Sequence, residues 1–182
     1  MKGNLVQNRI VIWSVEEARR LFGGGFFGKP LGIPKPKVGE EFDAPLIVDM
    51  IEGLYLLKKG KLDIYDIQTG DKIPRRQIQK VCAESYVDFD LKFLVYGKLR
   101  DAGFVVSPGI KFGCDFAVYE HGPGIDHAPY LVQVANPDDG MTATQIVLSG
   151  RLATTVRKQF IIALPFPAKK RVEFVSFDWW RA

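Results

Sequence analysis

At 182 residues the chain can form one large domain or two small ones, and 47% of its residues are apolar, so it can bury a substantial core. The formal net charge of +4 is mild and permits an acidic partner such as RNA without requiring one. No apolar run approaches the roughly 20 residues of a membrane span, no secretory signal opens the chain, and the two cysteines form neither a CxxC pair nor a zinc-spaced cluster. These features predict a cytoplasmic protein with reduced thiols and no metal site or cofactor.

The first elements are a strand and a capped helix. Residues 5–13 form a short run rich in β-branched and aromatic residues, which predicts a strand. Ser14 precedes VEEARRLF and is expected to cap a helix there, because its hydroxyl can accept a backbone N–H.

Residues 23–39, GGGFFGKPLGIPKPKVG, are dense in glycine and proline and predict a long loop. The segment is not a phosphate-binding P-loop, because proline follows the lysine where that motif needs serine or threonine. Its three lysines, Lys29, Lys35 and Lys37, are either solvated or in contact with RNA phosphate, and the sequence leaves both readings open.

Residues 45–59 have apolar spacing typical of a helix, residues 61–67 alternate like a strand, and Pro74 stands at or near the start of another helix. A domain boundary is expected near Glu84. It would separate an N-terminal α/β domain (1–83) from a C-terminal domain (84–182).

The C-terminal part predicts a helix over DLKFLVYGKLRDAG, three strands, a helix ending near Thr155 and two last strands. This order favours a central mixed sheet flanked by helices. The fold class is therefore α/β or, more specifically, α+β, with a small mixed domain in front of it.

Three side chains in YEHGPGIDHAPYLV and TTVRKQF carry the chemistry: Tyr119, His127 and Lys158. Together they offer a general base, a general acid and a fixed cation, which suits cleavage of a phosphodiester beside a 2′-hydroxyl. If the strands that flank the GPGID turn form a hairpin, Tyr119 and His127 come close together. Tyr119 needs a neighbouring cation to favour its phenolate, and Lys158 is the candidate.

A rival interpretation is a metal-dependent DNA nuclease built around Asp115 and Glu120, but one carboxylate pair is weak evidence for a metal, and a structural hydrogen-bonding role for Asp115 is favoured. Asp138 and Asp139, followed by glycine, read most simply as a solvated turn.

The run LKFLVYGKLRDAGFVVSPGIKFGCDFAVYEHGPGIDHAPYLVQV, followed by GRLATTVRKQFIIAL, resembles the catalytic subunits of archaeal tRNA-splicing endonucleases, and the lysine loop is similar to one in crenarchaeal members. The resemblance implies metal-independent cleavage of precursor tRNA at a bulge-helix-bulge, giving 2′,3′-cyclic phosphate and 5′-hydroxyl ends. It implies that Tyr119 takes the 2′-hydroxyl proton, His127 protonates the leaving oxygen and Lys158 stabilises the transition state.

The same resemblance implies that Arg151 and Trp179, with Trp180 as the second choice, hold a flipped bulge base. The alternative for either tryptophan is packing at a dimer interface. Two cleavage sites at a fixed separation require an assembly: a heterotetramer with a second endonuclease subunit is favoured, and a homotetramer is the alternative. Asp138 and Asp139 match a docking loop of that assembly. A noncatalytic RNA-binding subunit of the same assembly is the rival reading, although this chain keeps all three catalytic residue types.

Overall fold

The computed structural model describes residues 1–34, 36 and 39–177. The chain divides into two compact units, Met1–Phe89 and Asp90–Ala182, each with its own five-stranded sheet. The predicted α+β class is confirmed. The division falls after the first residue of a helix, whereas the sequence analysis put it near Glu84, within the last turn of the preceding helix.

The N-terminal unit is built on a mixed sheet with the strand order β3-β4-β2-β1-β5, in which only β1 and β5 run parallel. Its elements in chain order are β1 (Lys2–Val6), β2 (Arg9–Ile12), α1 (Val15–Gly23), β3 (Lys29–Pro30), β4 (Leu46–Asp49), α2 (Met50–Lys58), β5 (Asp63–Asp66) and α3 (Arg75–Ser85).

Helix α1 begins as predicted, because the Ser14 hydroxyl accepts a hydrogen bond from the N–H of Glu17. Two other predictions for this unit were wrong. The strand expected over residues 5–13 is a hairpin of β1 and β2, turned by Gln7 at a φ of +53°. The helix expected over residues 45–59 starts only at Met50, because Asp49 ends β4 and caps α2 through a capping box with Glu52.

The C-terminal unit has the predicted order of one helix, three strands, one helix and two strands. Its sheet has the order β10-β9-β8-β7-β6, and only β8 and β9 are parallel. Its elements are α4 (Phe89–Asp101), β6 (Val105–Pro108), β7 (Phe116–Tyr119), β8 (Tyr130–Val134), α5 (Ala143–Thr155), β9 (Gln159–Phe166) and β10 (Arg171–Ser176), with short 3-10 turns at Ile110–Phe112 and Pro167–Lys169.

This second sheet lies between α4 and α5. The ring of Tyr96 on α4 is 6.0 Å from that of Phe116 on one face. Ile146 on α5 packs against a buried cluster on the other face, formed by Ala117, Ala128, Leu131, Phe160 and Ile162. Because β8 and β9 are parallel, α5 must run back along the sheet to connect them. The C-terminal end of α5 therefore returns to the edge where β8 and β9 begin.

Candidate active site

Tyr119 and Lys158 lie at the same end of the sheet and on the same face. Ala117 pairs with Leu131, and Leu131 pairs with Phe160, so these residues form one row across β7, β8 and β9. Tyr119 is two residues beyond Ala117, and Lys158 is two residues before Phe160. Since side chains alternate along a strand, the next row on that face holds Tyr119 and Lys158, with β8 between them.

The ammonium of Lys158 is held from two sides. Its Nζ donates a hydrogen bond to the carbonyl oxygen of Ala128 and lies 5.2 Å from the centroid of the Phe112 ring. The side chain is half-buried, and Phe112 packs against the same buried cluster as Tyr119. The cation is thus fixed directly before the start of β9 rather than free in solvent.

His127 belongs to the segment that connects β7 to β8, and its side chain is exposed. The two strands are antiparallel, which meets the condition set in the sequence analysis, so the connection returns to the end of the sheet where Tyr119 lies. The next residue is the buried Ala128, whose carbonyl accepts from Lys158. His127 is therefore one peptide unit away from the contact that holds the ammonium.

The environment of Tyr119 differs from the one expected. Partial burial, followed by the negative charge of Asp126, raises the pKa of the Tyr119 phenol above its usual value of about 10. The expectation that Lys158 would favour the phenolate was wrong, because the pKa of Tyr119 is raised and not lowered. The ammonium contacts Ala128 and Phe112 instead. Tyr119 is protonated at neutral pH.

Both halves of the chain match family models. Residues 1–78 match the N-terminal domain of tRNA intron endonuclease, and residues 89–174 match its catalytic C-terminal domain. A protein named tRNA-splicing endonuclease from Hyperthermus butylicus is 44% identical over 171 residues, which cover 94% of this chain and 93% of the relative. Proteins with the same name from Sulfurisphaera tokodaii and Saccharolobus solfataricus are 38% and 35% identical, over 98% of both chains in each case.

The chain belongs to the tRNA intron endonuclease family. The resemblance drawn from the sequence is confirmed, and so is the prediction of an endonuclease. Among the described residues, none of the helices combines the length and apolarity needed to cross a bilayer.

Of the two residues that the family resemblance assigns to a bulge base, the structure describes Arg151. Arg151 is exposed on α5, four residues before the helix ends at Thr155. That distance is about 6 Å along the axis, so Arg151 lies towards the sheet end that carries Tyr119 and Lys158. Trp179, like Trp180, lies outside the described residues.

The remaining predicted residues do not join this group. Asp138 and Asp139 are exposed in the connection from β8 to α5, at the opposite end of the sheet. The Asp138 N–H donates to the side-chain oxygen of Asn136, and the Asp139 N–H donates to its backbone carbonyl. Lys29 is exposed in β3 of the N-terminal unit and lines a shallow groove with Leu31 and Ile47. Lys35 and Lys37 lie outside the described residues.

Asp115 has the structural role that the sequence analysis favoured. Its carboxylate accepts hydrogen bonds from the Gln133 side chain at 2.7 Å and the Val134 N–H at 2.8 Å, and it pairs with Lys92 on α4 at 2.9 Å. In the part of the chain that the structure describes, no three His, Cys, Asp or Glu side chains form a group that could hold a metal ion.

Sequence reasoning missed two residues that act on this site, Phe112 and Asp126. Phe112 gave no signal, because only the tertiary structure brings the 3-10 turn beneath Lys158. Asp126 could have been noticed as an acid in a glycine-rich turn, where aspartate commonly accepts backbone N–H groups. Its carboxylate does so here, with three neighbours.

Proposed function

We propose that this chain is the catalytic subunit of an enzyme that excises introns from precursor tRNA, cutting at bulge-helix-bulge junctions without a metal ion. The observation that carries the proposal is the strand register, which sets Tyr119 and Lys158 in one row at one sheet end with His127 in the adjoining connection. The reaction belongs to the C-terminal domain, which we take as residues 84–182, and the N-terminal domain, residues 1–83, contributes positioning.

In the proposed reaction, the phenolate of Tyr119 takes the proton from the 2′-hydroxyl at the cleavage site. The 2′-oxygen attacks the adjacent phosphorus, and the bond from phosphorus to the 5′-oxygen breaks. His127 gives its proton to that leaving oxygen, and the Lys158 ammonium stabilises the charge that builds on the non-bridging oxygens. The products carry a 2′,3′-cyclic phosphate and a 5′-hydroxyl.

The raised pKa of Tyr119 decides which protonation state reacts. Only a small fraction of the enzyme carries the phenolate at neutral pH, because both burial and Asp126 oppose it. This fraction is a strong base, so a low population and a high reactivity partly compensate.

Binding and assembly complete the proposal. Arg151 and Trp179 hold an extruded bulge base, with stacking worth about 1–3 kcal/mol. Lys29, Lys35 and Lys37 contact RNA phosphate. Two such chains join two copies of a second endonuclease subunit in a heterotetramer. Asp138 and Asp139, which lie at the sheet end opposite the reacting groups, dock into the partner.

The test uses a bulge-helix-bulge RNA and two changes of condition. Cleavage should continue in excess EDTA and should stop when the cleavage-site ribose is 2′-deoxy, while that analogue still binds. Mass spectrometry should find the cyclic phosphate. Loss of cleavage in EDTA, or efficient cutting of the deoxy analogue, would refute the mechanism. The purified chain should be assayed alone and with a second subunit, since cutting by the chain alone would contradict the heterotetramer.

A further inference from the structure

The connection from β7 to β8 is folded around one carboxylate. Oδ2 of Asp126 accepts hydrogen bonds from the N–H groups of Glu120 at 2.9 Å and His121 at 3.2 Å, and Oδ1 accepts from Gly122 at 2.7 Å. The donors are the three residues that follow Tyr119, and the acceptor is the residue before His127. The carboxylate therefore links the residues that directly follow β7 to the residue that precedes His127.

The carboxylate acts together with other contacts that shape the connection. The N–H groups of Ile125 and Asp126 donate to the Gly122 carbonyl at 3.0 and 3.1 Å, and the Tyr130 hydroxyl donates to the Glu120 carboxylate at 2.8 Å. Gly122 and Gly124 have φ values of +132° and +89°, a region that glycine enters freely, and the tip residue Ile125 is 56% exposed. On the other side of His127, Ala128 is buried in the cluster under the sheet. The exposed imidazole is thus placed by two fixed neighbours, and Asp126 supplies one of them.

We propose that Asp126 is a positioning residue for RNA cleavage, which holds the His127 imidazole at a fixed distance from the Tyr119 phenol. The inference rests on the proposed function, because it assigns Asp126 a part in the same reaction. Asp126 itself touches no reacting atom. Without its carboxylate the connection loses three hydrogen bonds, and the His127 imidazole is no longer held at that distance.

Asp126 also acts on the site through its charge. The charged or titratable side chains of the same connection are Glu120, whose carboxylate accepts from the Tyr130 hydroxyl at 2.8 Å, His121, with Nδ1 at 3.9 Å from Oδ2, and the adjoining His127. On the other side of β8, Lys158 is bound to the Ala128 carbonyl. After burial, the charge of Asp126 is the second cause that raises the pKa of Tyr119. Removing the charge therefore lowers that pKa, although the loss of the anchor slows the reaction.

Loss of the anchor slows the reaction, whereas loss of the charge lowers the pKa of Tyr119. Two variants and a control separate these effects from a general loss of folding. Asp126→Ala removes both the anchor and the charge. Asp126→Asn removes the charge and keeps one acceptor oxygen. Asp66 provides a matched control, since its Oδ1 similarly accepts the N–H groups of Gln68 and Thr69, at 2.7 and 2.9 Å, in a turn of the N-terminal unit.

Single-turnover cleavage of a bulge-helix-bulge RNA is measured between pH 6 and 9, where its base pairs are intact, with the full chain and its partner subunit. The titration of the Tyr119 phenol is followed separately by NMR between pH 8 and 12 without RNA. Asp126→Ala should lower the rate at neutral pH by about 10- to 100-fold, the size of effect expected when a reacting group is misplaced by about 1 Å. Asp126→Asn should lose less. In both variants the Tyr119 phenol should titrate at lower pH than in the wild type, and RNA binding should stay within about twofold of the wild type. Asp66→Ala should keep the wild-type rate and profile.

The outcomes distinguish this inference from the proposed function. A wild-type complex that does not cut the RNA refutes the proposed function, and the inference with it. If the wild type cuts and Asp126→Ala behaves like Asp66→Ala, only the positioning role is overturned. A rate loss as large in Asp126→Asn as in Asp126→Ala also overturns it, since the asparagine keeps one acceptor oxygen for the anchor. Amide NMR shifts of residues 120–122 check that the anchor has been removed in a folded protein.

Discussion

The ammonium of Lys158 donates a hydrogen bond to the carbonyl of Ala128, the residue that directly follows His127. This single contact joins the start of β9 to the connection before β8. It fixes the candidate cation and the candidate acid relative to each other before RNA arrives, so neither needs to be ordered during the reaction.

Replacing His127 with alanine should lower the cleavage rate by about 10²–10⁴, the usual range for a lost acid–base group, while RNA binding is retained. The chain has two histidines, so His121 is the natural control; its exposed ring lies in the same connection. His121→Ala should change the rate by no more than about twofold, as for most exposed substitutions. Equal losses in both variants would contradict the assignment of His127 as the acid.

Replacing Phe112 with leucine should lower kcat by about two- to fivefold with little change in KM, because a partly exposed cation–π contact is worth about 0.5–1 kcal/mol. The measurement is steady-state cleavage. Phe166→Leu is the matched control, since it removes a similar contact, with Arg171 at 5.0 Å, near the far end of β9. If both variants keep full kcat, the Phe112 ring does not help to hold Lys158.

Arg157 precedes Lys158 and has a φ of +54°, a left-handed conformation that turns the chain from α5 into β9. A residue with a Cβ pays about 1–2 kcal/mol for this conformation, whereas glycine does not. Arg157→Gly should therefore be more stable than Arg157→Ala by about 1 kcal/mol in urea denaturation and should cut RNA at least as fast. The alanine variant controls for the lost charge. An alanine variant as stable as the glycine variant would show that the turn carries no such strain.

The pKa of Tyr119 predicts a stability change at alkaline pH. Burial and then Asp126 raise it above the unfolded value, so the neutral phenol stabilises the folded state. This contribution is fully present below about pH 10 and is lost as the pH rises through the folded pKa. Between pH 9 and 11.5 the wild type should lose more stability than Tyr119→Phe. Parallel curves would show that Tyr119 has an ordinary pKa.

Replacing Asp115 with alanine should destabilise the C-terminal unit by about 2–4 kcal/mol, because Lys92, Gln133 and the Val134 N–H lose their shared partner. Below its unfolding temperature the variant should still cut RNA, and added Mg²⁺ should make no difference. Lost cleavage with unchanged stability would instead support the metal-nuclease interpretation.

Much of the fold could be predicted from local signals. Ser14 before an amphipathic run predicted α1, and short strand-like apolar runs predicted β7 and β8. Both errors arose because the boundary between two elements has no clear local sequence signal. The run LIVD adjoins helix-forming residues without a break, so the cap at Asp49 was hidden, and the Gln7 turn contains no glycine or proline to announce it.

The sequence by itself determined the family, the α+β class and the three residue types that the proposed reaction needs, because these depend on composition, order and short-range spacing. Only the tertiary structure decided how the candidate catalytic groups are held. Phe112, Ala128 and Lys158 come from three separate segments, and no local pattern encodes which carbonyl or ring an ammonium will meet. The same holds for the raised pKa of Tyr119, which depends on burial and on a charge brought close by the folding of the connection.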